Sequence, residues 1–284
     1  MEVNICAGIV MYNPQIERLK RSLESIVPQV KQVVLVDNAS GNVSDVEALI
    51  KGEKDICLIK NQENMGIAAA LNQILSFAFN HSFSWALTLD QDTICPSDMI
   101  NKLSRYVGLS SAGILCPAVN YEGLNLKSKV NNGDITETYA CMTSGSLTNV
   151  EAWKKVGGFR DDYFIDFVDN AFCMMLRIHH YKILRVNDCI MHHQLGEAKT
   201  KKLFGILKRE VCIHKPWRYY YMTRNNLLFI WEFKNHVNII KEYLKLLYIL
   251  WFGLLYADER VSTFGFVMMG VRDAIHHQTG KLSC

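Results

Sequence analysis

Between residues 3 and 93 the chain alternates short runs of β-branched and apolar residues with longer stretches of helical period, and each apolar run ends on polar residues. Val3 to Met11, Gln32 to Val36, Ile56 to Lys60 and Trp85 to Leu89 read as buried strands. Gln15 to Ile26, Asp45 to Ile50 and Ile67 to Phe79 carry the 3.6-residue period of helices between them. Strand and helix in strict alternation leave few options, because parallel strands need long crossovers and those crossovers are right-handed. The expected fold is therefore α/β, a mainly parallel sheet covered by helices on both faces. Ligands of such sheets gather beyond the carboxyl ends of the strands. The polar residues stand there: Tyr12-Asn13-Pro14, Asp37-Asn38, Asn61 to Asn64, and Asp90-Gln91-Asp92.

Beyond residue 96 the pattern loosens. Pro96 to Val107, Val150 to Val156 and Asp169 to His179 read as helices, and Gly113 to Pro117, Tyr139 to Asn149 and Tyr181 to Val186 as strands. From residue 215 the chain turns helical and aromatic-rich, which divides it into an α/β domain over 1–214 and a helical extension over 215–284. The charge divides too: residues 197–284 hold 14 Lys and Arg against 7 Asp and Glu, although the whole chain is only +3. A basic tail with a dense aromatic stretch, Tyr243 to Tyr256, points to phosphates, a membrane surface, a second subunit or packing on the α/β domain. Its longest uncharged apolar stretch, Leu246 to Ala257, falls short of the roughly 20 residues that span a bilayer.

No basic, apolar and small-residue leader opens the sequence, and its nine cysteines form no C-x-x-C pair. These features suit reduced, mostly buried thiols in a cytoplasmic protein. Nothing in the chain resembles a nucleic-acid-binding motif, so nucleic acid is not an expected partner.

Asp90 and Asp92, one residue apart at a strand end, point the same way and would repel unless a cation lay between them. A hard divalent ion takes one or two carboxylates plus phosphate oxygens. The competing reading is a turn in which Asp92 or Thr93 caps a following helix. Asp37 can accept from a base imide or a ribose hydroxyl, or form an Asx turn with Asn38 to Gly41. Asn64 to Asn72 opens a helix with glycine and three alanines, which permits close packing on the sheet and an anion at the helix N-terminus.

The run Gly157 to Asp169 sets four carboxylates among aromatics after a Gly-Gly turn. Asp169, flanked by Phe167 and Phe172, is a helix cap or an acid whose apolar surroundings move its pKa toward a general base's range. Of His192 and His193, adjacent on a strand, one can face a shared metal. The lysines and arginine at 199, 201, 202, 208 and 209 read as a solvated loop, or as a cover for diphosphate or anionic lipid.

Taken in order, Ile9 to Pro14, Val36 to Ser40, Asn64 to Asn72, Asp90 to Asp92 and Gly157 to Asp169 resemble the inverting family 2 glycosyltransferases, nearest their rhamnosyltransferase-like branch. The resemblance covers residues 3 to 230. It implies a GT-A fold, an Mn²⁺ or Mg²⁺ cofactor, a nucleotide-sugar donor (dTDP- or UDP-linked) and a glycan acceptor carried on polyprenyl diphosphate. By similarity Tyr12, Asn13, Pro14 and Asp37 would line the base and ribose, with Asn64 and Gly66 near the nucleotide. Asp90 would lie toward ribose and metal, Asp92 would ligate the metal, and His193 would join it. Asp169 takes the place of the catalytic base, Gly158, Phe159 and Asp166 lie on the acceptor side, and Arg224 meets phosphate.

Ala171 and Met175 depart from the pattern, where relatives carry an acid and an arginine. That departure keeps a non-catalytic nucleotide-sugar-binding scaffold as the rival reading. A sugar-nucleotide pyrophosphorylase would show an N-terminal Gly-rich, Arg-containing loop in place of Met11 to Pro14.

Overall fold

The computed structural model describes residues 4–122, 133–194, 198–203 and 207–282, with side chains left out at 121–122, 193–194, 198–203 and 207–212. They fall into two compact units: one drawn from 1–120, 126–164 and 168–193, the other from 121–125, 165–167 and 194–284.

The first unit is built on a sheet of eight strands: β1 (Ile5–Met11), β2 (Val33–Asp37), β3 (Ile56–Lys60), β4 (Trp85–Asp90), β5 (Ala112–Glu122), β6 (Ile135–Thr138), β7 (Ser146–Asn149) and β8 (Lys182–Gln194). Their order is β3-β2-β1-β4-β7-β5-β8-β6. The N-terminal four pair in parallel, with Ile9 opposite both Leu35 and Leu89, so their carboxyl ends finish side by side at Met11, Asp37, Lys60 and Asp90. β7 then joins β4 antiparallel, with Thr88 opposite Ser146.

The helices of this unit are α1 (Ile16–Ile26), α2 (Val43–Leu49), α3 (Gly66–Asn80), α4 (Met99–Ser104), α5 (Val150–Val156) and α6 (Val168–Ile178). Alternate residues of β1 sort between the two faces, as the strand period requires. Ile5, Ala7, Ile9 and Met11 pack with Leu19, Leu23 and Ile26 of α1 in the main core. On the other face α3 lies across β1, β2 and β4, and its buried alanines, Ala68, Ala69, Ala70 and Ala78, let the helix come close.

The strands and helices expected up to residue 90 form with small shifts at their ends. Three later expectations are corrected. The helix read over Pro96 to Val107 is only Met99–Ser104, because 96–98 is used as a turn in which Met99 N–H donates to Pro96 O. Of the strand read over Tyr139 to Asn149 only Ser146–Asn149 forms, because 139–145 is used as bend and turn, with Ser146 N–H donating to Thr143 O at 3.1 Å and Gly145 at φ +83°. β8 runs well past Val186, to Gln194.

In the second unit the basic segment forms an antiparallel hairpin, β9 (Ala198–Leu203) with β10 (Leu207–Cys212), rather than an irregular loop. Three helices follow: α7 (Pro216–Glu232), α8 (Ile239–Tyr256) and α9 (Arg260–Ile275). α7 is the buried one, with both α8 and α9 packed on it. Among the described residues no helix is long and apolar enough to cross a membrane.

Candidate active site at the strand ends

Loops leaving β1, β2 and β4 are stitched together beyond the sheet. Tyr12 N–H donates to the side-chain oxygen of Gln91 at 2.8 Å, which ties the first loop to the residue between the two aspartates. Asn13 adopts φ +47°; its N–H donates to Ser40 Oγ at 2.8 Å, and its own Oδ1 accepts from Gly41 N–H at 2.8 Å. Asn42 closes the seam by donating to the Pro14 carbonyl at 2.9 Å. The Tyr12 ring, about half exposed, remains on the open side of this seam.

Asp37 ends β2 and is buried, at 1% exposure. One carboxyl oxygen accepts from Ser40 N–H at 3.0 Å, as an Asx turn would have it. The other, Oδ1, is buried with no hydrogen-bond partner among the described residues. A buried acceptor left unpaired costs about 1–3 kcal/mol. The turn reading of Asp37 thus uses one oxygen and leaves the other without a described partner.

Asn64 and Gly66 build the entry to α3. Asn64 Oδ1 accepts from Gly66 N–H at 2.9 Å, and the Gly66 carbonyl accepts from Asn38 Nδ2 at 3.0 Å. Gly66 has φ +86°, and a Cβ there would lie 2.5 Å from the Phe164 carbonyl oxygen. That carbonyl accepts from Ile67 N–H at 2.7 Å, so the α3 entry is locked to the segment preceding Asp169. Phe164, Asp166 and Phe167 all have φ between +62° and +64°, a concentration of costly backbone geometry in non-glycine residues of the kind that collects at working sites.

Asp90 and Asp92 are braced from the Thr143 to Ser146 turn. Ser144, buried, accepts the Asp90 N–H at 3.0 Å and shares a 2.7 Å hydrogen bond with the Thr93 hydroxyl. Thr88 donates to the Thr143 carbonyl at 2.6 Å. Thr143 and Ser146 also wall, together with Thr88, Phe159 and Phe172, the small cleft that Asp169 lines. One turn thus connects the aspartate pair to Asp169. Asp169 is the second residue of α6, half-buried, and its Oδ1 accepts from Asn170 N–H at 2.8 Å.

The donor set at 90 and 92 fits a hard divalent ion. Both are oxygen ligands, Asp92 is well exposed, and Mg²⁺ or Mn²⁺ needs only one or two carboxylates when phosphate completes the shell. The described residues hold no cluster of three or more His, Cys, Asp or Glu able to enclose a metal by themselves. The His193 side chain lies outside the described residues; His192 is exposed. A cation already stands near Asp92: Arg18 Nη1 is 3.9 Å from its Oδ2.

Four expected site residues are engaged within the protein itself. Arg224, expected at phosphate, is fully buried within the second unit. It donates to the carbonyl of Gly280 at 2.7 Å, to Tyr220 and to Asn225, with its guanidinium 5.1 Å from the Tyr220 and Tyr221 ring centres. The chain end wraps over the charge that one helical turn by itself would have left exposed. Phe159 is core, 4.0 Å from Phe172 between ring centroids. Gly158, at φ +80°, makes room for Asn72, since a Cβ would lie 2.7 Å from Asn72 Oδ1. Asp166 is engaged by Arg218, whose Nη2 donates at 2.9 Å.

Sequence reading missed Arg18, Gln91, Ser144 and Asn72. Asn72 takes N–H donors from Trp153 and Phe159, each at 2.8 Å, and donates to the Phe159 carbonyl, fixing the Gly-Gly turn. Gln91 was legible as the middle of the acidic pair, whereas Ser144 lies 54 residues from its partner and carried no local signal.

A family model described as Glycosyl transferase family 2 matches residues 6–184. A dTDP-rhamnosyl transferase of Shigella flexneri, RfbF, is 31% identical over 258 residues, covering 84% of this chain and 83% of that protein. Among solved structures, the mannosyltransferase PcManGT of Pyrobaculum calidifontis, in complex with GDP-Man and Mn²⁺, superposes with a TM-score of 0.60 at 14% identity, over 98% of this chain and 76% of that one. TarS of S. aureus with UDP-GlcNAc gives 0.62 at 13% identity, over 96% and 82%. At such identities these two structures bear on the fold alone. The fold is the GT-A type expected from the sequence, a helix-flanked sheet followed by helices.

Proposed function

This chain belongs to glycosyl transferase family 2 and is a glycosyltransferase, and from that premise we propose that it moves rhamnose from dTDP-rhamnose, with inversion, onto a growing cell-surface glycan carried on polyprenyl diphosphate at the cytoplasmic membrane face. The observation that carries the donor half of this reading is the unpartnered buried oxygen of Asp37 at the seam of three strand-end loops. It would accept from the imide of a pyrimidine base or from a ribose hydroxyl, with the Tyr12 ring beside it and Asn13 and Pro14 shaping the rim. Asn64 and Gly66 would hold the α3 entry against the nucleotide. The choice of dTDP-rhamnose is supported by the name of the Shigella relative.

Asp90 and Asp92, with His193, are the residues proposed to hold Mn²⁺ or Mg²⁺, a choice supported by the Mn²⁺ in the mannosyltransferase complex. When bound, such an ion would neutralise charge on the departing diphosphate. Asp169 would accept the proton of the acceptor hydroxyl as its oxygen attacks the anomeric carbon and the bond to the nucleoside diphosphate breaks. One displacement inverts the configuration. The Thr143 to Ser146 turn, shared by Ser144 at the acid pair and Thr143 and Ser146 at the Asp169 cleft, supports a common reaction space for the two. Gly158 and Asp166 would act on the acceptor side through the backbone they set, since Asp166 is paired with Arg218 and Phe159 is core.

The test is a thermal-shift series with dTDP-rhamnose and with UDP-linked galactose, galactofuranose and glucose, each with and without Mn²⁺. A ligand that binds the native state raises its melting temperature. The largest Mn²⁺-dependent rise is expected with dTDP-rhamnose, and Asp92→Ala should remove the Mn²⁺-dependent part. A larger rise with a UDP-sugar would select the UDP-sugar alternative, and equal rises with and without Mn²⁺ would dismiss the metal.

A further inference from the structure

We propose that the outward face of α8 is a docking surface for an anionic lipid bilayer, on which the helix lies in the plane of the membrane. α8 is seated on its own unit by Leu246, Phe252 and Gly253, the last packed directly against the Tyr219 ring. The opposite side of the helix is apolar and uncovered. Ile240 is 73% exposed, Leu244 and Leu247 each 61%, Tyr248 49% and Trp251 50%. Their spacing of four, three, one and three residues puts all five within one stripe of about 100° on a 3.6-residue helix.

A stripe of this width made of Ile, Leu, Tyr and Trp is far more apolar than a helix face meant for water. The two aromatic rings also have the form that settles at a lipid headgroup boundary, apolar body inward and polar tip outward.

Charge selects the occupant. Lys241 and Lys245 are exposed along one edge of the stripe, and Glu242, the acid of this helix, sits on the side turned away. Glu242 pairs with Lys245 at 2.7 Å, and no acid pairs with Lys241 among the described residues. α9 adds exposed apolar residues, Val261, Phe264 and Met268, while its own charges are balanced, Arg272 pairing with Asp273 at 2.7 Å and Arg260 following the exposed Asp258 and Glu259.

Joining two antiparallel copies through this face would bring their lysine edges to the same side, an arrangement that like charges oppose. Anionic headgroups oppose neither the apolar stripe nor its basic edge. A spanning mode is closed to this helix, so binding is interfacial. The proposal extends the functional reading by naming the surface on which a lipid-carried acceptor would be met, but it does not depend on which sugar is moved.

The full chain is floated on sucrose gradients with vesicles of phosphatidylcholine alone or with about one third phosphatidylglycerol. The parent protein should float with the anionic vesicles. Leu244→Glu should lower the bound fraction about tenfold, the worth of losing one buried leucine side chain. Exchanging Lys241 and Lys245 for Glu should lower it about as much, and added salt should weaken binding of the parent.

Because both sites are solvent-exposed, the variants keep their fold, which circular dichroism and an unchanged thermal shift with dTDP-rhamnose would verify. No flotation of the parent, flotation that Leu244→Glu leaves unchanged, or a lipid-free dimer that Leu244→Glu dissolves in sedimentation velocity would each overturn the proposal. Flotation retained in a protein that binds no nucleotide sugar would instead count against the functional reading alone.

Discussion

Ser144 Oγ accepts the backbone N–H of Asp90 at 3.0 Å while sharing a hydrogen bond with the Thr93 hydroxyl, so a single buried hydroxyl holds both ends of the acidic turn. That contact spans two antiparallel neighbours, β4 and the turn entering β7, and it ties down the backbone on either side of Asp92, whose own side chain faces solvent.

Ser144→Ala should therefore destabilise the protein by about 1–3 kcal/mol, the penalty for leaving a buried donor and hydroxyl without a partner. Urea unfolding would give the stability change, and titration of nucleotide in Mn²⁺ should show weakened affinity. A variant with parental stability and parental affinity would remove Ser144 from its bracing role.

Asp169→Asn keeps the shape of the side chain and its bond to Asn170 N–H but cannot take a proton. Turnover is expected to fall about 10²- to 10⁴-fold, with the donor-induced thermal shift unchanged. Transfer at near-parental rate would assign the base elsewhere.

Gly66→Ala places a side chain at φ +86° and 2.5 Å from the Phe164 carbonyl oxygen. Backbone strain and overpacking together should cost about 2–4 kcal/mol, read as a lowered melting temperature. Because the Phe164 carbonyl also anchors Ile67 N–H, turnover should fall in the surviving folded fraction. An unchanged melting temperature would mean that this close approach is not maintained in solution.

His214 gives the second unit an acid sensitivity. Burial, and next the neighbouring Arg218 guanidinium, hold its pKa below the ordinary imidazole value, with Asp166 opposing them. The unfolded chain takes up this proton near pH 6.5 and the folded one only at lower pH, so stability is whole above about 6.5 and falls as the pH drops through the folded value. His214→Gln should flatten the fall in urea midpoint between about pH 6.5 and 5. Parallel curves for parent and variant would place that sensitivity on other groups.

Much of the site was legible in the sequence for a physical reason. The period-2 and period-3.6 patterns between residues 3 and 93 are local, so they specify the parallel strands, and the strand ends then place Tyr12, Asp37, Asp90 and Asp92 on one edge of the sheet without further information. The Asx turn at Asp37 and the glycine at the α3 entry are equally local. Arg224 was placed at phosphate by resemblance, and no local pattern announces that Tyr220, Tyr221 and the Gly280 carbonyl close over it. That Phe159 is buried against Phe172 while walling the Asp169 cleft was equally out of reach, because Phe172 comes from another element.

What the sequence determined by itself was thus the sheet, the family and the row of polar residues along its edge. Only the tertiary structure decided that Gln91 ties Tyr12 to the acidic turn, that Ser144 braces Asp90 across the sheet, and that one oxygen of Asp37 is buried without a described partner. It also decided which face of α8 stays uncovered. The division follows from range: periodicity and turn chemistry act over a few residues, whereas these contacts close between segments tens of residues apart and exist only once the core has packed.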